Sequence, residues 1–174
     1  MTQNDMIAAV GALVPAAHYS IDFTIKVDNN VASLLTWNNT LGAQPTDDVL
    51  TSALAAIQLS GYKGIQSAAI ETAYQTASTN TPIAYMGTTF FTDADSQFKL
   101  LGAAWGFDKA GGVPAGFAWW DSNGAAVPMT LAQLDGLALA VLNEVNTAFT
   151  KRKTYLAAIV TASTIADVQA VVWA

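Results

Sequence analysis

Two pairs of carboxylates are the residues of this sequence best spaced for chemistry: Asp47 with Asp48, and Asp93 with Asp95. Paired carboxylates can exchange protons in acid–base catalysis, or they can hold a hard cation such as Ca²⁺ or Mg²⁺. Each pair, however, follows a threonine and precedes a segment with helical periodicity, where acidic residues stabilise the first turn through the helix dipole. We therefore expect helix starts at both places and assign no metal ligand, cofactor or catalytic residue.

Three other features could carry chemistry. His18 is the only histidine, and no neighbouring acid or serine suggests a catalytic triad, so we expect a polar loop residue. The glycine-rich residues 110–114 have no lysine placed as in a phosphate-binding loop. The adjacent Trp119 and Trp120 could stack on a sugar or a base. Because successive strand residues face opposite sides, the default interpretation is one core residue and one interface residue.

The composition favours a protein that works inside an assembly. The 174 residues are 52% apolar and only 11% charged, whereas an ordinary soluble domain has roughly a quarter charged residues. The surface must therefore consist largely of small and uncharged polar side chains.

The charge distribution argues against nucleic acid as a partner. The formal net charge is −6, and the only basic cluster is residues 151–153, which is narrower than the positive stripe that phosphate binding needs. The absence of cysteine excludes disulfides, thiol nucleophiles and thiolate metal sites. No apolar segment reaches the roughly 18 residues of a membrane span, so we expect no membrane partner, and no signal peptide is indicated.

The sequence pattern of the N-terminal part predicts a helix followed by a hairpin. Residues 2–14 have helical periodicity that ends at Pro15, and residues 19–37 alternate apolar and polar side chains around the turn Asp28-Asn29-Asn30. A polar connection follows. We therefore predict an N-terminal module at residues 1–44 and a helical domain with two small hairpins at residues 45–174.

Thr46 is predicted to cap a helix that continues to about residue 77. Gly61 and Gly64 lie on the apolar stripe of this helix, and either another backbone approaches them closely or the helix kinks there. A second small hairpin is predicted at residues 83–91, around Met86-Gly87.

A central helix is predicted from Asp93 to Trp105, with Thr92 as its cap and Gly106 as its end. Phe98, Leu101 and Trp105 are spaced three and four apart, so they are expected to form the apolar face of this helix. Residues 109–116, which contain three glycines and a proline, are predicted to be a loop.

The last third predicts a third hairpin and the longest helix of the protein. The hairpin covers residues 117–129, with a turn at residues 121–124, and Thr130 with Gln133 forms a capping box. The helix is expected to pack along the helix that begins at Asp47, through a near-heptad stripe of Leu134, Leu137, Val141, Val145, Ala148, Tyr155 and Ile159. Thr164 is predicted to cap a short final helix. The fold class is thus α+β: an antiparallel long-helix pair with short β-hairpins inserted between the helices.

The order of these elements resembles a domain family of unknown function that recurs in small tail and tail-fibre-associated proteins of tailed bacteriophages. The resemblance covers about residues 46–160. It is carried by a tryptophan before a turn, by Met129-Thr130 opening a long helix, and by Thr92-Asp93 followed by Gln97, Leu100, Leu101 and Gly102. The segment WNNTLGAQPTDDVL is also similar to the passage from hairpin to helix in related phage tail proteins. The family supplies no catalytic residues.

The resemblance implies a non-enzymatic role in a virion tail, for a protein made in the host cytoplasm. The first hypothesis is a structural component that contacts fibre or baseplate proteins. The second is an assembly chaperone that binds the fibre tip and is absent from the virion. The third is receptor or carbohydrate recognition through exposed tryptophans.

The short hairpins and long helices leave apolar faces that one small core does not cover, which favours a homo-oligomer. A trimer would match a fibre, although the helical stripe can equally be satisfied within one chain. The candidate interface residues are Trp37, Trp119, Trp120, Val168 and Val172.

Overall fold

The computed structural model describes all residues from 1 to 174 and contains five α-helices and three separate two-stranded antiparallel hairpins. The helices are α1 (Gln3–Leu13), α2 (Asp47–Thr79), α3 (Ala94–Ala110), α4 (Leu131–Thr161) and α5 (Ile165–Ala170). The strands are β1 (Phe23–Asp28), β2 (Val31–Trp37), β3 (Ile83–Tyr85), β4 (Thr88–Phe90), β5 (Ala118–Trp120) and β6 (Ala126–Pro128). The predicted α+β class, with short hairpins between helices, is confirmed.

The chain divides into two compact units. The first unit comprises Met1–Ile65 and Ala162–Gln169, and the second comprises Gln66–Thr161 and Ala170–Ala174. The boundary between the units falls inside α2 and does not coincide with the predicted division after residue 44. The assignment of residues 1–44 and 45–174 as domains stays a prediction.

Two of the long helices begin at the predicted capping residues. At the start of α2, the hydroxyl oxygen of Thr46 accepts a hydrogen bond from the amide of Val49 at 3.4 Å. At the start of α4 the Thr130 amide donates to the Gln133 side-chain oxygen at 2.8 Å, and the Gln133 amide donates to the Thr130 hydroxyl oxygen at 3.3 Å, so the predicted capping box is confirmed. α4 has 31 residues and α2 has 33, so the prediction that α4 is the longest helix was wrong.

The turns of the first two hairpins each contain two consecutive residues with positive φ. Asn29 and Asn30 have φ of 49° and 64° between β1 and β2, and Met86 and Gly87 have φ of 53° and 80° between β3 and β4. Two consecutive residues of this kind form a two-residue turn whose twist matches that of the paired strands. Both hairpins, and the third one formed by β5 and β6, lie where the sequence predicted them.

α3 begins and ends at different residues from those predicted. Its N-cap is Asp93, whose carboxylate accepts from the Ser96 amide at 3.0 Å. Thr92 is buried, and its hydroxyl instead donates to the Thr81 carbonyl oxygen at 2.7 Å. The helix continues through Gly106 to Ala110, and its C-cap is Gly111, which has φ of 78°. Glycine in the left-handed conformation commonly ends a helix. Gly106 keeps the helical conformation, so the helix continues through it.

The predicted apolar face of α3 was also wrong. The side chains of Phe98 and Trp105 are 78% and 69% exposed, and Leu101 is half-buried. The buried face includes Leu100 and Ala104. It is rotated away from the two aromatic residues because the hairpins and α4 pack against that other side.

The core of the second unit lies between α3, α4 and the two short hairpins. Its buried residues are Phe90, Leu100, Ala104, Met129, Leu134, Leu137, Ala138 and Val141. The hydroxyl of Tyr85 on β3 lies against Gly136 of α4 so closely that a methyl group at Gly136 would clash with it. A side chain at position 136 would therefore force the Tyr85 ring to shift where this hairpin meets the helix.

Within the second unit, the end of α2 runs antiparallel to α4. Arg152 forms a two-pronged ion pair with Glu71, at 2.7 Å and 2.5 Å, and the rings of Tyr74 and Phe149 are 6.5 Å apart. The hydrogen bonds from Arg152 lower the pKa of Glu71.

The first unit has its own core, composed of Met6, Ala9, Val10, Phe23, Ala32 and Leu50. No atom outside the helix itself lies within 4 Å of a methyl group placed on Gly61 or Gly64. The interpretation of these glycines as points of close backbone approach was therefore wrong.

Candidate protein-interaction surface

The turn between β5 and β6 is organised by the buried carboxylate of Asp121, which is only 7% exposed. One oxygen accepts from the amides of Asn123 and Ala125 at 2.9 Å and 2.8 Å. The other accepts the hydroxyl hydrogen of Thr88 on β4 at 2.7 Å. Asp121 therefore shapes its own turn and also fastens it to the neighbouring hairpin.

Two further hydrogen bonds join the same hairpins. The Ser122 amide donates to the Thr89 carbonyl oxygen at 2.8 Å, and the hydroxyl groups of these residues lie 2.5 Å apart. Because backbone and side-chain groups both take part, the relative position of the two hairpins is fixed at this point. Sheets of two three-residue strands have little stability of their own, so these cross-connections provide rigidity that the strands lack.

The hydrogen bonds also favour the charged form of Asp121. The hydroxyl of Thr88 contributes most and the Ala125 amide next, and together they hold the pKa of Asp121 below its usual value against the opposing effect of burial. The carboxylate thus remains ionised under ordinary conditions and keeps accepting all three hydrogen bonds.

An open groove of about 470 Å³ lies beside this connection. Phe91 and Trp120 border it and are 55% and 66% exposed. We call it the aromatic groove; its lining is Phe91, Ser96, Lys99, Trp119, Trp120, Asp121 and Gly124.

The polar groups of the aromatic groove already have partners within the chain. The Ser96 hydroxyl donates to Asp93 at 2.5 Å, and Lys99 is paired with Asp95 at 2.5 Å. The groove therefore offers mainly aromatic surface, which gains free energy when a partner removes it from water.

The two predicted interface tryptophans of the second unit behave differently. Trp119 is half-buried against the core, with its ring 6.4 Å from that of Phe117, whereas Trp120 is exposed. This is the arrangement that strand alternation predicts, with one residue in the core and one at the surface.

The other predicted interface residues do not join the aromatic groove. Trp37 belongs to the first unit, where it is half-buried and its indole N–H donates to the Gly42 carbonyl oxygen at 2.9 Å. Val172 is 57% exposed, while Val168 is fully buried and presents no surface to a partner. An interface role for the exposed residues stays a prediction.

Phe91 was not predicted from the sequence to be an exposed residue of the candidate surface. Its neighbour Phe90 is 1% exposed and belongs to the core, and strand alternation therefore turns Phe91 outward. Treating the adjacent aromatic residues as one strand signal hid this alternation.

Two of the residues considered for chemistry take part in local hydrogen bonds. Asp93 caps α3, and its pKa is lowered by hydrogen bonds from Ser96. The His18 amide donates to the Asp22 carboxylate at 3.0 Å. The structure places no three His, Cys, Asp or Glu side chains where they could share a metal ion, and none of its helices combines the length and apolar character that crossing a membrane requires.

Comparison with known proteins gives one match. Residues 62–172, more than half of the chain, match the family model described as a domain of unknown function, DUF4376. This range includes Asp121 and all residues of the aromatic groove. No curated protein and no solved structure matches the chain.

Proposed function

The chain belongs to the DUF4376 family, and from this premise we propose that it is a structural protein of a bacteriophage tail, associated with fibre or baseplate, that acts through protein–protein contacts without catalysis. The tail setting rests on the resemblance of residues 46–160 to domains that recur in tail and tail-fibre-associated proteins. The mode of action rests on the aromatic groove.

The observation that carries this proposal is the exposure of Phe91 and Trp120 on a backbone that Asp121 holds in place. Large aromatic side chains supply much of the energy of protein interfaces, because they bury a large area and lose little conformational freedom. A fixed backbone lowers the entropic cost of binding further. An aromatic surface on a rigid support is thus suited to permanent assembly.

The low charge of the chain supports the same proposal. Only 11% of the residues are charged, and charged residues are depleted in the centres of interfaces. Fibre and baseplate proteins of the same particle are the proposed partners, and the virion tail is the proposed location.

The test is the amount of this protein in purified particles of the phage that encodes it, measured by mass spectrometry with labelled reference peptides. A structural component is expected at a fixed number of copies per tail, unchanged by repeated gradient purification. Absence from particles, combined with capture of the fibre protein in pull-down, would overturn the proposal and indicate an assembly chaperone.

The same particles test receptor recognition. Trp120→Ala removes the most exposed aromatic side chain of the groove, and Ile21→Ala, at a position 82% exposed in the first unit, serves as a matched surface control. If particles adsorb to host cells normally for each copy of the Trp120→Ala protein that they contain, the groove does not bind a receptor sugar. A selective loss of adsorption would favour the recognition hypothesis over the structural one.

A further inference from the structure

The outward side of α3 is an apolar surface with no partner in the chain. Phe98 and Trp105 are 78% and 69% exposed, and Gly102 lies on the same side, between them. No atom outside the helix lies within 4 Å of a methyl group placed on Gly102 or Gly106. Neither glycine is thus needed for packing within the chain, although glycine weakens a helix interior relative to alanine.

Five residues share this side of the helix because they are spaced by three or four positions. We call them the outer face of α3: Asp95, Phe98, Gly102, Trp105 and Lys109. Asp95 lies in the first turn and Lys109 in the last, and both side chains are well exposed, at 70% and 66%. The face therefore has an acidic end, an aromatic middle with a gap at its centre, and a basic end.

This outer face is complementary to itself when one copy is reversed. In an antiparallel pair of helices centred on Gly102, residues at equal distances before and after position 102 face each other. Asp95 then faces Lys109 of a second copy, and Phe98 faces Gly106 of that copy. Opposite charges meet at both ends, and each Phe98 ring meets a residue without a side chain.

We propose that the outer face of α3 is a homodimer interface, in which the α3 helices of two copies pack antiparallel and cross at Gly102. A two-fold axis makes such an interface use the same residues on both copies. The glycines at the crossing allow the two backbones to approach closely, which lets Phe98 and Trp105 bury more of their surface.

The charges select a second copy in this orientation. A parallel pair would place Asp95 beside Asp95 and Lys109 beside Lys109. Within one chain, Asp95 pairs with Lys99 at 2.5 Å and Lys109 with Asp108 at 3.4 Å. Exposed pairs of this kind are weak and exchange readily for contacts across an interface. The interface does not depend on the proposed location in a phage tail, so either conclusion can fail without the other.

The first test is the mass of the purified chain in solution, measured by light scattering over a range of concentrations. A dimer has twice the 18.2 kDa mass of one chain. Gly102→Gln places a helix-favouring side chain at the crossing point, where the single chain has room for it. We expect this variant to be a monomer with an unchanged or higher melting temperature. A native monomer or trimer, or a variant that still dimerises, would overturn the proposal.

The second test uses charge reversal and identifies the antiparallel arrangement. Asp95→Lys and Lys109→Glu each create two like-charge contacts in their own dimers, and each is expected to weaken dimerisation by roughly tenfold. In an equimolar mixture, a dimer with one chain of each kind has only opposite charges in contact and should form as readily as the native dimer.

Ile21→Ala, at a position 82% exposed in the first unit, is the control and should leave the mass unchanged. A mixture that dimerises no better than its components would contradict the antiparallel arrangement. Equal weakening by Ile21→Ala would show that the loss is not specific to the outer face of α3 and would overturn the proposal.

Discussion

The two sides of α3 have similar apolar character and opposite surroundings. Leu100 and Ala104 face the core and are 3% and 6% exposed, while Phe98 and Trp105 of the same 17-residue helix remain in contact with water. Side-chain size therefore does not decide which face of a helix is buried. The inner side holds the fold together, and the outer side is available for association.

A similar division holds for the neighbouring hairpins. Phe90 is buried and Phe91 exposed, and half-buried Trp119 is followed by exposed Trp120. If this comparison is correct, substitutions on the inner side should lower the free energy of unfolding. Removal of the exposed aromatic side chains on the outer side should leave the free energy of unfolding nearly unchanged and should alter association with other chains.

The largest expected difference in stability is between alanine substitutions at two leucines of α4. Leu137→Ala removes a fully buried side chain and should lower the free energy of unfolding by about 2–5 kcal/mol, because a cavity remains in the core. Leu139→Ala, only two residues away but 59% exposed, should change it by less than about 0.5 kcal/mol. Urea denaturation followed by circular dichroism measures both values, and equal losses would contradict the comparison.

Alanine substitutions at two helix glycines should have the next largest effects on the free energy of unfolding, and the two effects should have opposite signs. Gly136→Ala forces a methyl group against the Tyr85 hydroxyl and should destabilise the protein by about 1–3 kcal/mol. Gly102→Ala has free space and should stabilise it by up to about 1 kcal/mol, because alanine favours the helix.

The contact itself can be tested by adding Tyr85→Phe, which removes the clashing oxygen. The double variant with Gly136→Ala should recover part of the lost stability in thermal unfolding. If the two substitutions were simply additive, the close contact would not be the cause of the destabilisation.

Asp121 should make the stability of the folded chain depend on pH. Its pKa is lower in the folded chain than in the unfolded chain, so its contribution is fully present above the unfolded value of about 3.9 and is lost as the pH falls through the folded value. Asp121→Asn should therefore lower the melting temperature at neutral pH, and the difference from the native chain should shrink in acid. A difference that grows with acidity would show the opposite shift.

Thr88→Val sharpens this test, because it removes the hydrogen bond that contributes most to the shift. The pKa of Asp121, followed by NMR of its side-chain carboxyl carbon, should move upward toward its ordinary value. An unchanged titration would mean that Thr88 does not hold the two hairpins together through this carboxylate.

The smallest expected change in stability is for a substitution on the outer face of α3. Trp105→Ala removes a side chain that is 69% exposed and should alter the free energy of unfolding by less than about 0.5 kcal/mol. A loss above about 2 kcal/mol, measured at a concentration where the chain is monomeric, would mean that the tryptophan belongs to the fold.

Most elements of this fold could be predicted from local signals. Threonine caps, consecutive asparagines in a turn and the regular spacing of Leu134, Leu137 and Val141 depend on neighbours in sequence, and they correctly placed the helices and hairpins. The end of α3 was misplaced because Gly106 and Gly111 carry the same local signal. Only the second glycine adopts the left-handed conformation.

Local sequence signals could not predict which face of each helix or strand is buried. Phe98, Leu101 and Trp105 formed the stripe with the largest side chains, but the position of the hairpins on the other side of α3 decided the outcome. The role of Asp121 was equally hidden. Its sequence context indicates a turn, while its bond to Thr88 joins residues 33 positions apart.

If the aromatic groove serves assembly and not stability, as we propose, incorporation and melting temperature should respond differently to its removal. The copies per purified particle and the melting temperature are determined for the native chain, for Trp120→Ala and for the control Ile21→Ala. We expect Trp120→Ala to have the same melting temperature as the native chain but to be incorporated about tenfold less, the loss expected when an interface aromatic residue is removed. Normal incorporation, or a melting temperature that falls together with incorporation, would contradict it.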